Sequence, residues 1–175
     1  MCSLPRKARK EEEIIRKFPF LWVIPSVYLL DRFFKILIVK RFLEGEGFPV
    51  IPGVFHVTRV NNTGAAFGIL KGYGAVLLVL SAACILFLAV YLLRSIFLKP
   101  REASGATRLS FASQTAWSLV IAGALGNLYD RFRYGYVVDF LDFRIWPVFN
   151  VADASICAGV LLVTLSFLKR NKMSA

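Results

Sequence analysis

Two aspartates stand in segments where a carboxylate is costly. Asp139 follows Val137-Val138 and precedes Phe140-Leu141, a lone acid in an apolar stretch. Asp153 lies in the apolar run that opens at Trp146, roughly two turns in if that whole run is helical. Asn150, three residues earlier, would share its helical face. An ionisable group in hydrocarbon costs about 2.5–3.5 kcal/mol even on the lenient insertion scale, and by default marks a functional site. With no cation nearby in sequence, Asp153 must find a polar partner in space. Two carboxylates brought close together do not both ionise readily, so they share a proton. One can then take a proton from water as the water attacks a peptide carbonyl, and the other can protonate the oxyanion or leaving amine. Such a pair titrates as a unit, which leaves the roles undivided. A proton or ion relay across a membrane also needs buried carboxylates, and from spacing alone the two readings stand level.

Other polar residues gather around these two. Asn127, Asp130 and Arg131 cluster at the end of an apolar run, after Gly123 and Gly126, which permit tight helix packing. Asp130-Arg131 reads most simply as an ion pair or cap. Asp31 and Lys35, four apart in the first apolar run, face one another on a helix and can pair; contact with a substrate is the alternative. Asn62 and Gly64 belong to Asn61-Asn62-Thr63-Gly64-Ala65-Ala66-Phe67-Gly68, where the small residues allow close backbone approach. A turn followed by close helix packing would explain that stretch equally well.

Other chemistries find little support. His56 is the one histidine, it falls in a probable surface strand, and no Gly-x-Ser-x-Gly elbow accompanies it. A Ser–Lys dyad through Lys35 lacks an obviously placed serine. Cys2, Cys84 and Cys157 form neither a CxxC pair nor a zinc spacing, so no metal, cofactor or disulfide is expected.

The elements that would position these residues follow from composition. The 175-residue chain is 57% hydrophobic, with mean hydropathy +0.62, too apolar for an ordinary soluble domain, where about 45–50% is usual. The net charge of +11 could suggest nucleic acid, but the cations sit in short segments between apolar runs, so membrane orientation and anionic headgroups are expected and nucleic acid is not. Four runs are long enough to span a bilayer, about 18–39, 74–97, 111–128 and 146–168. The first is too long for the core of a cleavable signal peptide, and Lys40-Arg41 follow it, so it is expected to remain as an anchor. Basic residues concentrate in the tail 1–17, between runs two and three (Arg94, Lys99, Arg101, Arg108) and at the C-terminus (Lys169, Arg170, Lys172). The positive-inside rule places all three in the cytoplasm and segments 40–73 and 129–145 outside. In the first outer segment Val54, His56, Thr58 and Val60 alternate, which predicts a small sheet over about 42–62 on the outer surface. The expected fold is an all-α integral membrane protein, one domain over 1–175, with four transmembrane helices and an extracytoplasmic β-cradle.

The ordered set Asp31…Lys35, Asn62-Thr63-Gly64-Ala65-Ala66-Phe67, Gly126-Asn127-Leu128-Tyr129-Asp130-Arg131, Val137-Val138-Asp139-Phe140 and Phe149-Asn150-Val151-Ala152-Asp153 strongly resembles the lipoprotein signal peptidase (signal peptidase II) family. The resemblance runs from the first span to the fourth. It departs at Gly68, where a serine is common, and in a longer N-terminal tail. It implies that Asp139 and Asp153 are a catalytic dyad and that Asn62, Asn127, Asp130, Arg131 and Asn150 line or brace it. It implies an aspartyl endopeptidase acting on prolipoproteins that carry diacylglyceryl on a cysteine, with cleavage on the N-terminal side of that cysteine. It further implies inhibition by globomycin-type cyclic peptides, and a multi-pass protein of the bacterial inner (cytoplasmic) membrane with both termini cytoplasmic and the site at the outer face. A monomer that needs no cofactor is expected. An ion carrier would need polar residues along a whole path, whereas these gather at one side and the second span is nearly devoid of them. A non-catalytic lipoprotein-binding protein would not need both aspartates.

Overall fold

The computed structural model describes residues 18–64, 72–97 and 110–174. The basic tail 1–17, Ala65–Gly68, and the cations Lys99, Arg101 and Arg108 lie outside the described residues. In chain order the elements are α1 (Phe20–Arg41), β1 (Gly47–Ile51), β2 (Phe55–Asn62), α2 (Gly74–Phe97), α3 (Phe111–Tyr134), β3 (Val137–Asp142) and α4 (Val151–Ser174).

Local chemistry sets the ends of α3. The Ser110 hydroxyl accepts the Ser113 N–H at 3.2 Å, capping a donor the helix cannot satisfy itself. At the other end Gly135 adopts φ +80, a left-handed conformation that suits a residue without Cβ, and its N–H donates to Arg131 O. The chain can therefore turn sharply from α3 into β3.

The helices are packed inside out relative to a water-soluble protein. In α1 the buried positions include Asp31, Arg32 and Lys35, while Leu29, Leu30, Phe33, Ile36 and Leu37 face outward. Exposed Val79, Leu80, Leu86 and Phe87 repeat that pattern on α2, and Val160, Leu161 and Leu165 on α4. One described helix, Gly74–Ser95, is long and apolar enough by itself to cross a membrane. The helix α1 is not, because it carries three charges in its interior; α3 mixes Ser113, Gln114, Thr115, Ser118 and Asn127 among its apolar residues. The apolar part of α4 is shorter, Val151–Ser166.

Three strands form one antiparallel sheet in the order β1-β2-β3. Strands β1 and β2 fall within the sheet expected over about 42–62, and β3 is an addition to it. Val54 precedes β2 and lies in the turn before it rather than on the strand. In the β2–β3 register Val60 faces Asp139 and Asn62 faces Val137. Asn62 and Asp139 are thus diagonal neighbours on one face, within reach of each other's side chains. The sheet packs on the C-terminal half of α1 through Ile38, Val138 and Phe140. A second apolar core joins α2 and α3 through Leu88, Leu92, Val120 and Ile121.

Candidate active site

The site forms where β3, the C-terminal third of α3 and the first turn of α4 meet. Asn150 precedes α4, and Asp153 occupies the first turn, not two turns inside, because the residues from Trp146 to Asn150 are not helical. The two residues cap the helix reciprocally. Asp153 N–H donates to Asn150 Oδ1 at 2.9 Å, and Asn150 N–H donates to Asp153 Oδ2 at 3.3 Å.

The same asparagine reaches Asp139. Asn150 Nδ2 donates to Asp139 Oδ1 at 2.6 Å, the shortest of its three contacts, and also approaches Asn127 Oδ1 (3.2 Å) and Val138 O (3.3 Å). Asn62 Nδ2 donates to the other oxygen of Asp139 at 2.9 Å. Asn127 Nδ2 donates to Asp153 Oδ1 at 2.7 Å. All four oxygens of the two carboxylates thus accept a bond from an amide or backbone N–H, and Asn150 bonds to both acids. Asp139 is only 2% exposed, whereas Asp153 is half-buried. Burial, and after it the charge of Asp153, push the Asp139 pKa from 3.8 up to about 7, against the opposing bonds from Asn62 and Asn150 and the charge of Lys35. A group so tuned can give up or accept a proton near neutral pH.

Beneath this pair lies a cluster of opposite character. Lys35 Nζ touches Asp31 Oδ2 (3.0 Å), Asp130 Oδ2 (2.8 Å) and Asn127 Oδ1 (2.9 Å), one acceptor for each of its protons. Arg32 adds an ion pair to Asp130 Oδ1 at 2.7 Å and a longer one to Asp31 Oδ2 at 3.4 Å, and its guanidinium lies 4.8 Å from the Tyr129 ring centroid. Asp130 Oδ2 also accepts the Val138 N–H at 3.2 Å, tying α3 to β3. Asp31 Oδ1 accepts the Ala152 N–H at 3.0 Å, tying α1 to the start of α4. Gly126 is required here, because a Cβ on it would stand 2.6 Å from Asp31 Oδ2.

The expected pairing of Asp31 with Lys35 is present but belongs to this larger network. Asp130 pairs with Arg32 and Lys35 instead of its neighbour Arg131. Arg131 turns the other way and donates to Gly64 O at 3.2 Å. Gly64 N–H in turn donates to Asn62 Oδ1 at 3.0 Å, which orients the Asn62 amide toward Asp139. Arg32 is not among the residues expected at the site, although a third charge between Asp31 and Lys35 is a readable signal.

Comparison with known proteins fits this arrangement to a family. Residues 23–169 match the model of signal peptidase (SPase) II. The chain belongs to the signal peptidase II family. A lipoprotein signal peptidase of Halothermothrix orenii is 44% identical over 151 residues, covering 86% of this chain and 96% of that protein. One of Moorella thermoacetica is 44% identical over 146 residues, covering 83% and 89%. A solved bacterial membrane enzyme superposes with TM-score 0.76 at 32% identity, covering 90% of this chain and 92% of its own. As a signal peptidase II family member the chain is a membrane peptidase, and every residue of the site described above lies within the matched span.

Proposed function

We propose that this protein is an aspartyl endopeptidase that removes signal peptides from diacylglyceryl-modified prolipoproteins, cutting on the N-terminal side of the lipidated cysteine. The observation that carries the mechanism is that Asp139 and Asp153 are joined by Asn150 and, among the described residues, bonded only by amide and backbone donors. Such acids stay free to exchange a proton, which a carboxylate locked to a cation is not.

In the resting pair Asp139 holds the shared proton. Asp153, in the first turn of α4, sits where the helix favours negative charge. Water between the two acids loses a proton to Asp153 as its oxygen attacks the scissile carbonyl, while Asp139 gives its proton to the developing oxyanion. When the tetrahedral intermediate collapses, the C–N bond breaks, the leaving amine takes a proton from Asp153, and one hydroxyl of the intermediate returns its proton to Asp139 as the carbonyl re-forms, restoring the resting pair. Asn62 and Asn127 keep the two acids aimed, and the ion cluster holds Asn127 in place.

The four helices would each cross the bilayer with both termini in the cytoplasm and the site at the outer face. The outward-facing apolar side chains of α1, α2 and α4, with their buried charges, support that reading. A lipid anchored on the substrate cysteine would then hold the scissile bond at membrane-surface depth, with lipid burial supplying binding energy. Asn62, Gly64, Asn127, Asp130, Arg131 and Asn150 brace the site or line it toward substrate. Globomycin-type cyclic peptides are expected to inhibit, and the unit is expected to act as a monomer.

The test is cleavage of a diacylated prolipoprotein by the purified protein in detergent, against Asp139→Asn and Asp153→Asn. Cleavage before the lipidated cysteine by the parent and none by either folded variant supports the reading. Near-parental cleavage by either variant removes the dyad and reopens a proton relay.

A further inference from the structure

The apolar residues that sequence analysis assigned to the start of the fourth span are not helical. Between Asp142 and Asn150 the chain forms a loop in which Ile145 is 94% and Trp146 59% exposed, with Phe143 exposed beside them. This projection is built rather than slack. Arg144 adopts φ +65, a left-handed conformation disfavoured for any residue with a Cβ. Asp142 holds it there, accepting the Arg144 N–H at 2.9 Å on Oδ1 and its guanidinium at 3.1 Å on Oδ2, where the Thr58 hydroxyl also donates at 3.1 Å. At the base of the loop the Phe143 ring stacks on Phe149 at 5.9 Å and lies 4.8 Å from Phe55. Since His56 pairs with Asp142, the exposed hairpin residues Ile51 and Val54 lie at the same end of the sheet.

The depth of this end can be read against α1. The Phe140 ring lies 6.2 Å from that of Phe34. Phe34 precedes Arg41, the last residue of α1, by enough to place it about 10 Å inside the helix end at 1.5 Å per residue. Strand β3 therefore packs beside the C-terminal half of α1 through Val138 and Phe140, and the loop begins at the end of that strand.

We propose that residues 143–146, with the hairpin tip, are inserted into the outer-leaflet interface of the bilayer. Ile145 and Trp146 sit at the headgroup–acyl boundary, and Arg144 faces the phosphates. Apolar exposure of this kind marks an interaction surface, tryptophan favours the membrane interface, and the patch follows the strand whose Phe140 packs against Phe34 of α1, a helix that turns Phe33 and Leu37 outward. The loop joins the strand of Asp139 to the helix of Asp153, so its insertion sets the depth of both acids. This inference rests on the membrane orientation given under the proposed function.

The test keeps Trp146 as the sole tryptophan, through Trp22→Phe and Trp117→Phe, and places the protein in substrate-free phospholipid vesicles. Lipids brominated near the carbonyl end of the chain should quench Trp146 more than lipids brominated near the chain terminus, and aqueous iodide should quench it weakly. Strong iodide quenching with little effect of brominated lipid overturns the proposal. So does shielding from both quenchers, which would mean that polypeptide, such as a second copy, covers the loop. Ile145→Asp should lower kcat/KM on a diacylated substrate about tenfold in vesicles and far less in micelles, which deform around a misplaced loop. An equal loss in both overturns the depth-setting role. Quenching needs no turnover, so a protein that is quenched by lipid but cuts nothing would refute the proposed function and leave the anchor standing.

Discussion

Two groups of carboxylates lie side by side in this protein and differ in what neutralises them. Asp31 and Asp130 are fully buried and face two cations, Lys35 and Arg32. Asp139, nearly as buried, and the half-buried Asp153 are bonded, among the described residues, only by amide and backbone donors. Asn127 touches both groups, accepting from Lys35 and donating to Asp153. Burial alone therefore does not separate the ion-paired acids from the two that the proposed mechanism uses. A cation in contact fixes the ionised form, whereas neutral donors hold the geometry and leave the proton free to move.

Substitutions should separate the two groups, and the largest effect is expected at the amide-bonded pair. Asp139→Asn or Asp153→Asn should lower kcat by about 10²–10⁴-fold or more while leaving the thermal unfolding midpoint near that of the parent, read by a cleavage assay and a melt on the same preparation. The ion cluster should behave in the opposite sense. Asp130→Ala leaves Lys35 and Arg32 to share Asp31 alone, two buried cations on one carboxylate, and should cost about 3–5 kcal/mol of stability; an unchanged melt would erase the distinction. Gly126→Ala presses a methyl group toward Asp31 Oδ2 and should destabilise by about 1–3 kcal/mol, measured the same way.

The smaller effects concern pH. Because the Asp139 pKa rises to about 7 in the folded protein, the folded state keeps a proton that the unfolded chain releases from about 3.8 upward. Its contribution to stability is therefore greatest at acid pH, falls as pH rises through that interval, and levels off above it. In the proposed mechanism the protonated acid is lost as pH rises through about 7, the upper end of that interval, so kcat/KM should fall on the alkaline side with a limb there. Asn62→Ala removes a bond that lowers this pKa and should move the limb upward by about one unit. A limb that stays in place would show that Asp139 does not carry the titrating proton.

Much of this was legible in the sequence, and the exceptions have physical causes. The extents of α1 and α2 followed from apolar run length to within two residues, whereas α3 runs on to Tyr134 past the expected 128 because its last turns are polar, with Asp130, Arg131 and Arg133; the acids stood out because their neighbours are apolar. Strand β3 escaped notice because it is buried on nearly every residue, so Val137–Asp142 lacks the alternation that betrays a half-exposed strand. The start of α4 was drawn too early because Ile145 and Trp146 are as apolar as a span, although they occupy a loop. Asp130 was given its neighbour Arg131 as partner, since spacing along one helix cannot reveal a lysine on another; Lys35 and Asn127 are 92 residues apart.

The bond from Ala152 N–H to Asp31 Oδ1 joins the first described helix to the last, 121 residues away. A nascent chain whose final helix is still in the ribosome has Asp31 waiting and neither Asn150 nor Asp153 to complete the site. Under the proposed mechanism assembly would act as its own safety catch: a chain lacking that last contact would have no dyad, and activity would start only when the last described helix docks against the first.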